Sequence, residues 1–140
     1  MAERGGPDER CIFCEIVARR AQSHVVYEDE QTLAFLDLFP VTRGHVLVVP
    51  KRHVDRLTDL PEADYEGFLR ALTRVCRRVD RLSDHYNVSL NQGSLAGQIV
   101  FHMHFHVIPR YGEGTPQWGR PRGRLSDEDA HRLVATLGAE

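Results

Sequence analysis

The spacing of apolar and polar positions divides the chain into short segments, each with its own period. Between Gln98 and Arg110 that period is two: Phe101, Met103, Phe105 and Val107 alternate with His102, His104 and His106. Side chains two apart on a β-strand share a face, so the stretch predicts a strand with a ladder of three histidines on one side and bulky apolar groups on the other. Val25 to Tyr27, Thr32 to Leu38, His45 to Val49 and Tyr86 to Asn91 predict four earlier strands. The turn-forming residues Asn91 to Gly97 would make the last two strands a long hairpin. Tyr65, Phe68, Leu69, Leu72, Val75, Cys76, Val79 and Leu82 recur at a 3-4 spacing and predict a long amphipathic helix. Thr58 or Asp59 would cap it, with Pro61 and Glu62 in its first turn. Cys11 to Arg20 predicts a short helix with Ile12, Ile16 and Val17 on its apolar face. Ser126 with Asp127, Glu128 and Asp129 opens a last helix that ends near Gly138.

These elements add up to an α+β fold: an antiparallel sheet of about five strands, one long helix, and short helices near the ends. At 140 residues the chain reads as one domain, 11–140, after a loose tail over 1–10. Hydrophobic content of 41%, charged content of 27% and a formal charge of -2 are ordinary for a soluble globular protein and weigh against electrostatic binding of nucleic acid. No run is long enough to span a membrane and the start of the chain is polar, so the reading is cytoplasmic.

Chemistry concentrates in a few places. Cys11 and Cys14 have the spacing of a thiolate pair on zinc, which is half a metal site. Asp37 is a carboxylate inside an apolar run, which must face water or meet specific donors. The histidine ladder admits three roles: polar residues on a wet face, metal ligands, or a nucleophile with neighbours that tune it. Two residues along a strand cover roughly 6.8 Å, so His102 and His106 would stand about 13 Å apart and one ion could not take all three rungs.

Cys-Ile-Phe-Cys-Glu-Ile from Cys11, Leu-Ala-Phe-Leu-Asp at 33–37 and Gly-His-Val-Leu-Val-Val-Pro-Lys-Arg-His at 44–53, followed by Asn91, Ala-Gly-Gln at 96–98 and His-Met-His-Phe-His at 102–106, resemble the histidine triad superfamily. Within it the chain is most similar to the small nucleoside phosphoramidate and dinucleotide hydrolases. The resemblance implies that His104 attacks the α-phosphorus of a purine nucleotide and forms a covalent nucleotidyl-histidine, with His106 and His45 stabilising charge beside it. It implies that Asp37 accepts from the ribose hydroxyls, and that Asn91, Gly97 and Gln98 contact phosphate. Phe13, Ile12, Phe35 and Leu36 would wall the pocket. It further implies a structural zinc on Cys11, Cys14, His53 and His102, and a homodimer with a continuous sheet in which Trp118 could lie near the partner's site. Many relatives carry a hydroxyl residue after the glutamine, where this chain has Ile99, which leaves open how the leaving group is protonated and weakens the transfer of a phosphoramidate preference. Two other readings stay open: a nucleotide-binding module with little turnover, and a hydrolase whose catalytic metal sits on the ladder. Lys51 and Arg52 read as solvated charges, Cys76 as core, and His24, His85 and His131 have no assigned role.

Overall fold

The computed structural model describes residues 11–112 and 123–139. The tail expected over 1–10, and Trp118, lie outside the described residues. Five strands, β1 (Val25–Glu28), β2 (Thr32–Leu36), β3 (Val46–Pro50), β4 (Tyr86–Leu90) and β5 (Phe105–Pro109), form an antiparallel sheet in the order β1-β2-β3-β5-β4. Helices α1 (Ile12–Val17), α2 (Tyr65–Val79) and α3 (Asp127–Leu137) complete it. The α+β class and the strand count agree with the sequence reading.

Both faces of the sheet are covered, which is why β2 and β3 are apolar at every position apart from Thr32. Ala34, Leu36, Val46, Val48 and Val107 join Phe68, Ala71, Val75 and Val79 of α2 and Ala130, Leu133 and Leu137 of α3 in the larger core. Leu33, Phe35, Leu47 and Val49 point the other way, toward Phe13, Cys11 and Cys14. Partners directly opposite in register share a face. His106 is opposite Leu47, and Phe105 and Val107 are opposite Val48 and Val46. The alternation therefore sorts β5 as its sequence predicts, with His106 on the α1 side and Phe105 and Val107 on the α2 side.

Several boundaries differ from the periodic pattern. The histidine segment forms a strand only from Phe105; His102 and His104 precede it, and Phe101 is half exposed rather than packed. The ladder stops because the next acceptors are taken otherwise. The Pro50 carbonyl accepts from the His102 ring at 2.7 Å, and Met103 N–H donates to Val54 O at 2.7 Å. The β4–β5 pairing holds, but the connection runs over 91–104, through a 3-10 turn at Ser94–Ala96, and is no tight hairpin turn. Two 3-10 turns, Leu57–Asp59 and Glu62–Asp64, occupy the stretch expected to start the long helix, so Pro61 caps a turn and α2 begins at Tyr65. Tyr65 and Leu69, read as core, are 53% and 63% exposed; the sheet that covers the rest of the stripe does not reach that side. On α1 the buried residues are Phe13 and Cys14, while Ile12 faces outward. Side-chain chemistry toward the sheet, more than hydropathy, orients that single turn. The last helix follows its sequence, with Ser126 Oγ accepting from Asp129 N–H at 3.1 Å.

Candidate functional site

Two clusters lie on the α1 side of the sheet. In the first, Cys11 Sγ is 3.5 Å from His102 Nδ1, and Cys14 Sγ is 3.1 Å from His53 Nδ1 and 3.6 Å from His102 Nδ1. All four ligand atoms lie within 4.8 Å of one another. A tetrahedral zinc with its usual bond lengths would set sulfur and nitrogen about 3.5 Å apart, so the set fits that ion. The outer ring nitrogens decide the tautomers. His53 Nε2 donates to Asp55 Oδ1 at 2.9 Å, and His102 Nε2 donates to the Pro50 carbonyl. Each Nδ1 is then left with a lone pair aimed at the thiols, the arrangement metal-bound histidines adopt. Burial pushes the Cys11 thiol up to about 11 and holds His102 near 4, so without a cation one stays protonated and the other neutral.

His104 lies between this cluster and the second. Its Nδ1 donates to the His102 carbonyl at 2.8 Å, which fixes the proton there and leaves Nε2 unprotonated. Burial lowers its pKa from the ordinary histidine value, keeping the ring neutral. Phe13 stands perpendicular to it with ring centroids 5.0 Å apart. Beyond it, Val41 N–H donates to His45 Nδ1 at 3.0 Å, and His45 Nε2 is 2.9 Å from His106 Nδ1. Since Val41 supplies the proton to Nδ1, His45 carries its own on Nε2 and donates it to His106. His106 then keeps its proton on Nε2. Burial, and then the neighbouring His104, lower His106 to about 4. Asp37 Oδ2 is 3.7 Å from His45 Nε2, and Asp37 Oδ1 accepts from Phe39 N–H at 2.8 Å. The ligand atoms of Asp37, His45 and His106 lie close enough to share an ion, but both nitrogens of His45 are already engaged, by Val41 N–H and by His106 Nδ1.

A cavity of about 820 Å³ opens over these groups, lined by Asp37, His45, His104, His106, Asn91, Gly97, Phe13 and Ile99 together with Phe39, Val41, Leu47, Ala96 and Val100. Of the residues expected to react with or hydrogen-bond the nucleotide, it brings together all but Gln98. Gln98 is 5% exposed, and its amide bonds backbone atoms instead of facing the cavity. Of the expected walls, Phe13 lines the cavity. Phe35 packs behind it at 5.4 Å, Leu36 belongs to the opposite core and Ile12 is exposed. Gly97 holds φ +94° beside the Asn91 amide, a left-handed conformation that suits glycine. The sequence reading missed Asp55, whose place two residues after His53 is its one signal, and the backbone N–H of Val41, which has none.

Known proteins resemble this chain in sequence and in fold. A family model described as HIT domain matches residues 18–113. The chain is 42% identical over 137 residues to the protein hit of Bacillus subtilis, covering 92% of each. It is 36% identical over 112 residues to an adenosine 5'-monophosphoramidase of Candida albicans, covering 75% of this chain and 73% of that one. Its structure resembles that of a zinc-bound histidine triad family protein from Mycobacterium smegmatis, with a TM-score of 0.78 and 38% identity over 91% of this chain and 93% of that one. With the motif, the sheet and these relatives in agreement, the chain belongs to the HIT family.

Proposed function

We propose that the protein is a nucleotide hydrolase or nucleotidyl transferase that cleaves a substituted α-phosphate of a purine nucleotide through His104. The observation that carries the reading is the His104 Nδ1 bond to the His102 carbonyl, which leaves Nε2 with a lone pair in a neutral ring at the cavity. In the first step Nε2 bonds to the α-phosphorus and the bond from phosphorus to the leaving nitrogen or oxygen breaks. The leaving atom departs with its electron pair and takes a proton from solvent, which the second step returns, since Ile99 has no hydroxyl to give. The modified ring is cationic, and the His102 carbonyl stabilises its Nδ1–H. His106 Nε2–H donates to the phosphoryl oxygens as charge builds, and His45 holds that tautomer in place; one such donor is worth on the order of 3 kcal/mol of barrier. Water then attacks phosphorus, Nε2 leaves, the nucleotide is released and the proton of water passes to solvent. Asp37 accepts from the ribose, and Asn91 and the Gly97 amide bind phosphate.

Cys11, Cys14, His53 and His102 would hold a zinc ion. With four protein ligands and no open position, it supplies structure and no Lewis-acid chemistry. The Candida relative's name, which states a monophosphoramidase, supports an amine leaving group, and the Mycobacterium structure, described as zinc-bound, supports the metal. A homodimer would pair the β4 edges of two copies, which lie at the end of the sheet and carry the exposed Val88. Among the described residues no helix is long and apolar enough to cross a membrane. The reduced cysteine pair fits the cytoplasm. The test is intact-protein mass spectrometry after mixing with an adenosine phosphoramidate. A nucleotidyl adduct mapped to His104, absent in His104→Ala at unchanged zinc content, is expected. Turnover that is lost on chelation yet leaves no adduct would instead favour a catalytic metal.

A further inference from the structure

The phosphate side of the cavity is built from the 91–104 connection, which lies outside the sheet ladder. Hydrogen bonds stitch it to the short segment that leaves β3. Gln92 Oε1 accepts from Leu57 N–H at 2.9 Å, Gln98 Nε2 donates to Asp55 O at 3.0 Å, and Met103 N–H donates to Val54 O. That segment begins immediately after His53, and Asp55 is the residue whose carboxylate orients the His53 ring. Asp55 therefore touches the metal cluster with its side chain and the cavity loop with its backbone.

Gln98 is the centre of the stitching. Its Oε1 accepts from Gly93 N–H at 2.8 Å, its own N–H donates to Gly93 O at 3.0 Å, and its Nε2 also donates to Val100 O at 3.1 Å. The first two bonds close 93–98 into a ring that carries Ala96 and Gly97 to the cavity, and the others tie this ring to Asp55 and to the wall residue Val100. Both amide hydrogens and the amide oxygen go to main-chain atoms, two of them within the 91–104 connection and one, Asp55 O, in the segment that leaves β3. Inside a protein such a group is costly to leave unsatisfied, so it fixes the two stretches relative to one another.

We propose that Gln98 is a positioning residue that registers the phosphate loop against the metal-held segment, so that occupancy of the Cys11–Cys14–His53–His102 site sets the order of the loop. The inference rests on the reading of that site as a zinc clamp and of the cavity as the nucleotide site. By linkage the effect runs both ways, and disturbing the loop also loosens the metal.

Two measurements on the full chain test it. The first is amide hydrogen exchange on zinc-loaded and zinc-stripped protein. Exchange at Gly93, Gln98 and Met103 is expected to rise tenfold or more on stripping, with Val75 in the middle of α2 unchanged. Equal exchange at the loop in both forms, acceleration across α2 as well, or a chain that takes up no zinc would overturn the proposal. The second is zinc release from Gln98→Ala to an excess of chromogenic chelator, expected to be about tenfold faster than from the wild type, the low end for removing a group that supports metal ligands. Release at the wild-type rate with weakened AMP binding would mean that Gln98 touches the nucleotide, and would also overturn it. Neither measurement needs turnover, so a missing His104 adduct would sink the catalytic reading while leaving this result to stand or fall on its own.

Discussion

Replacing Phe13 by alanine strikes both clusters at once. The ring is buried and meets Phe35, His104 and His102 edge to face at 5.4, 5.0 and 5.9 Å between centroids. Removing a buried phenylalanine side chain costs about 3–5 kcal/mol. Here one side of the ring borders the open cavity, so water fills part of the space and the low end applies, about 3 kcal/mol. For a domain near this size that lowers Tm by roughly 6–12 °C. Phe13→Leu keeps most of the bulk and forfeits mainly the edge-to-face contacts, about 1 kcal/mol. Urea unfolding of the zinc-loaded proteins measures both. Hydrolysis of an adenosine phosphoramidate is then followed at a temperature where all three proteins are folded. Without that ring, His104 keeps only its Nδ1 bond and its edge contact with His106 at 5.0 Å, and loss of alignment at a nucleophile costs on the order of 10²-fold in rate. Phe13→Ala should therefore lose kcat as well as stability, with Phe13→Leu within a few fold of wild type. An alanine variant as active as wild type while folded would refute the claim that Phe13 orients the nucleophile.

Asp37→Asn should raise KM by about 10-fold or more, the worth of a charge-assisted hydrogen bond, and most of that gap should close when a 2'-deoxy substrate is compared on both proteins by steady-state kinetics. His106 stays neutral in the folded chain down to about 4 but takes a proton near 6.5 when unfolded. Between those values the unfolded chain binds more protons, so the contribution of His106, roughly 3 kcal/mol, is complete above about pH 6.5 and lost as pH falls toward 4. Urea titrations across that range should show a shallower loss in His106→Gln, and an unchanged slope would count against the burial argument. Gly44 has φ +90°, and a Cβ there would press into Leu82 Cδ1. Gly44→Ala should cost about 1–2 kcal/mol, mainly from the left-handed backbone since the Leu82 methyl can turn aside, read as a fall in the urea midpoint.

The strands, the helices and the site residues were legible to different degrees. Two-residue alternation identified the β5 face correctly because the pleat fixes it locally, whatever the strand pairs with. The same alternation overran the strand by several residues, because whether His102 and Met103 join the ladder depends on where Pro50 O and Val54 O find their donors. The 3-4 stripe located the long helix but counted Tyr65 and Leu69 as core, since periodicity marks an apolar face without saying how far its partner extends. Gln98 was read as a phosphate contact and its bonds to the main chain were illegible, because an amide is equally suited to a phosphate and to the main chain.

By itself the sequence determined which side chains share a face, where the apolar stripes run and which residue types are present to do chemistry, since these follow from backbone geometry over a few residues. Only the tertiary structure decided that Cys11 meets His102 across 91 positions, that Val41 and the His102 carbonyl choose the tautomers of His45 and His104, and that Asp55 backs His53. A histidine's chemistry depends on which of its two nitrogens holds the proton. That is set by whichever partner folding brings to the other nitrogen, and no local pattern records it.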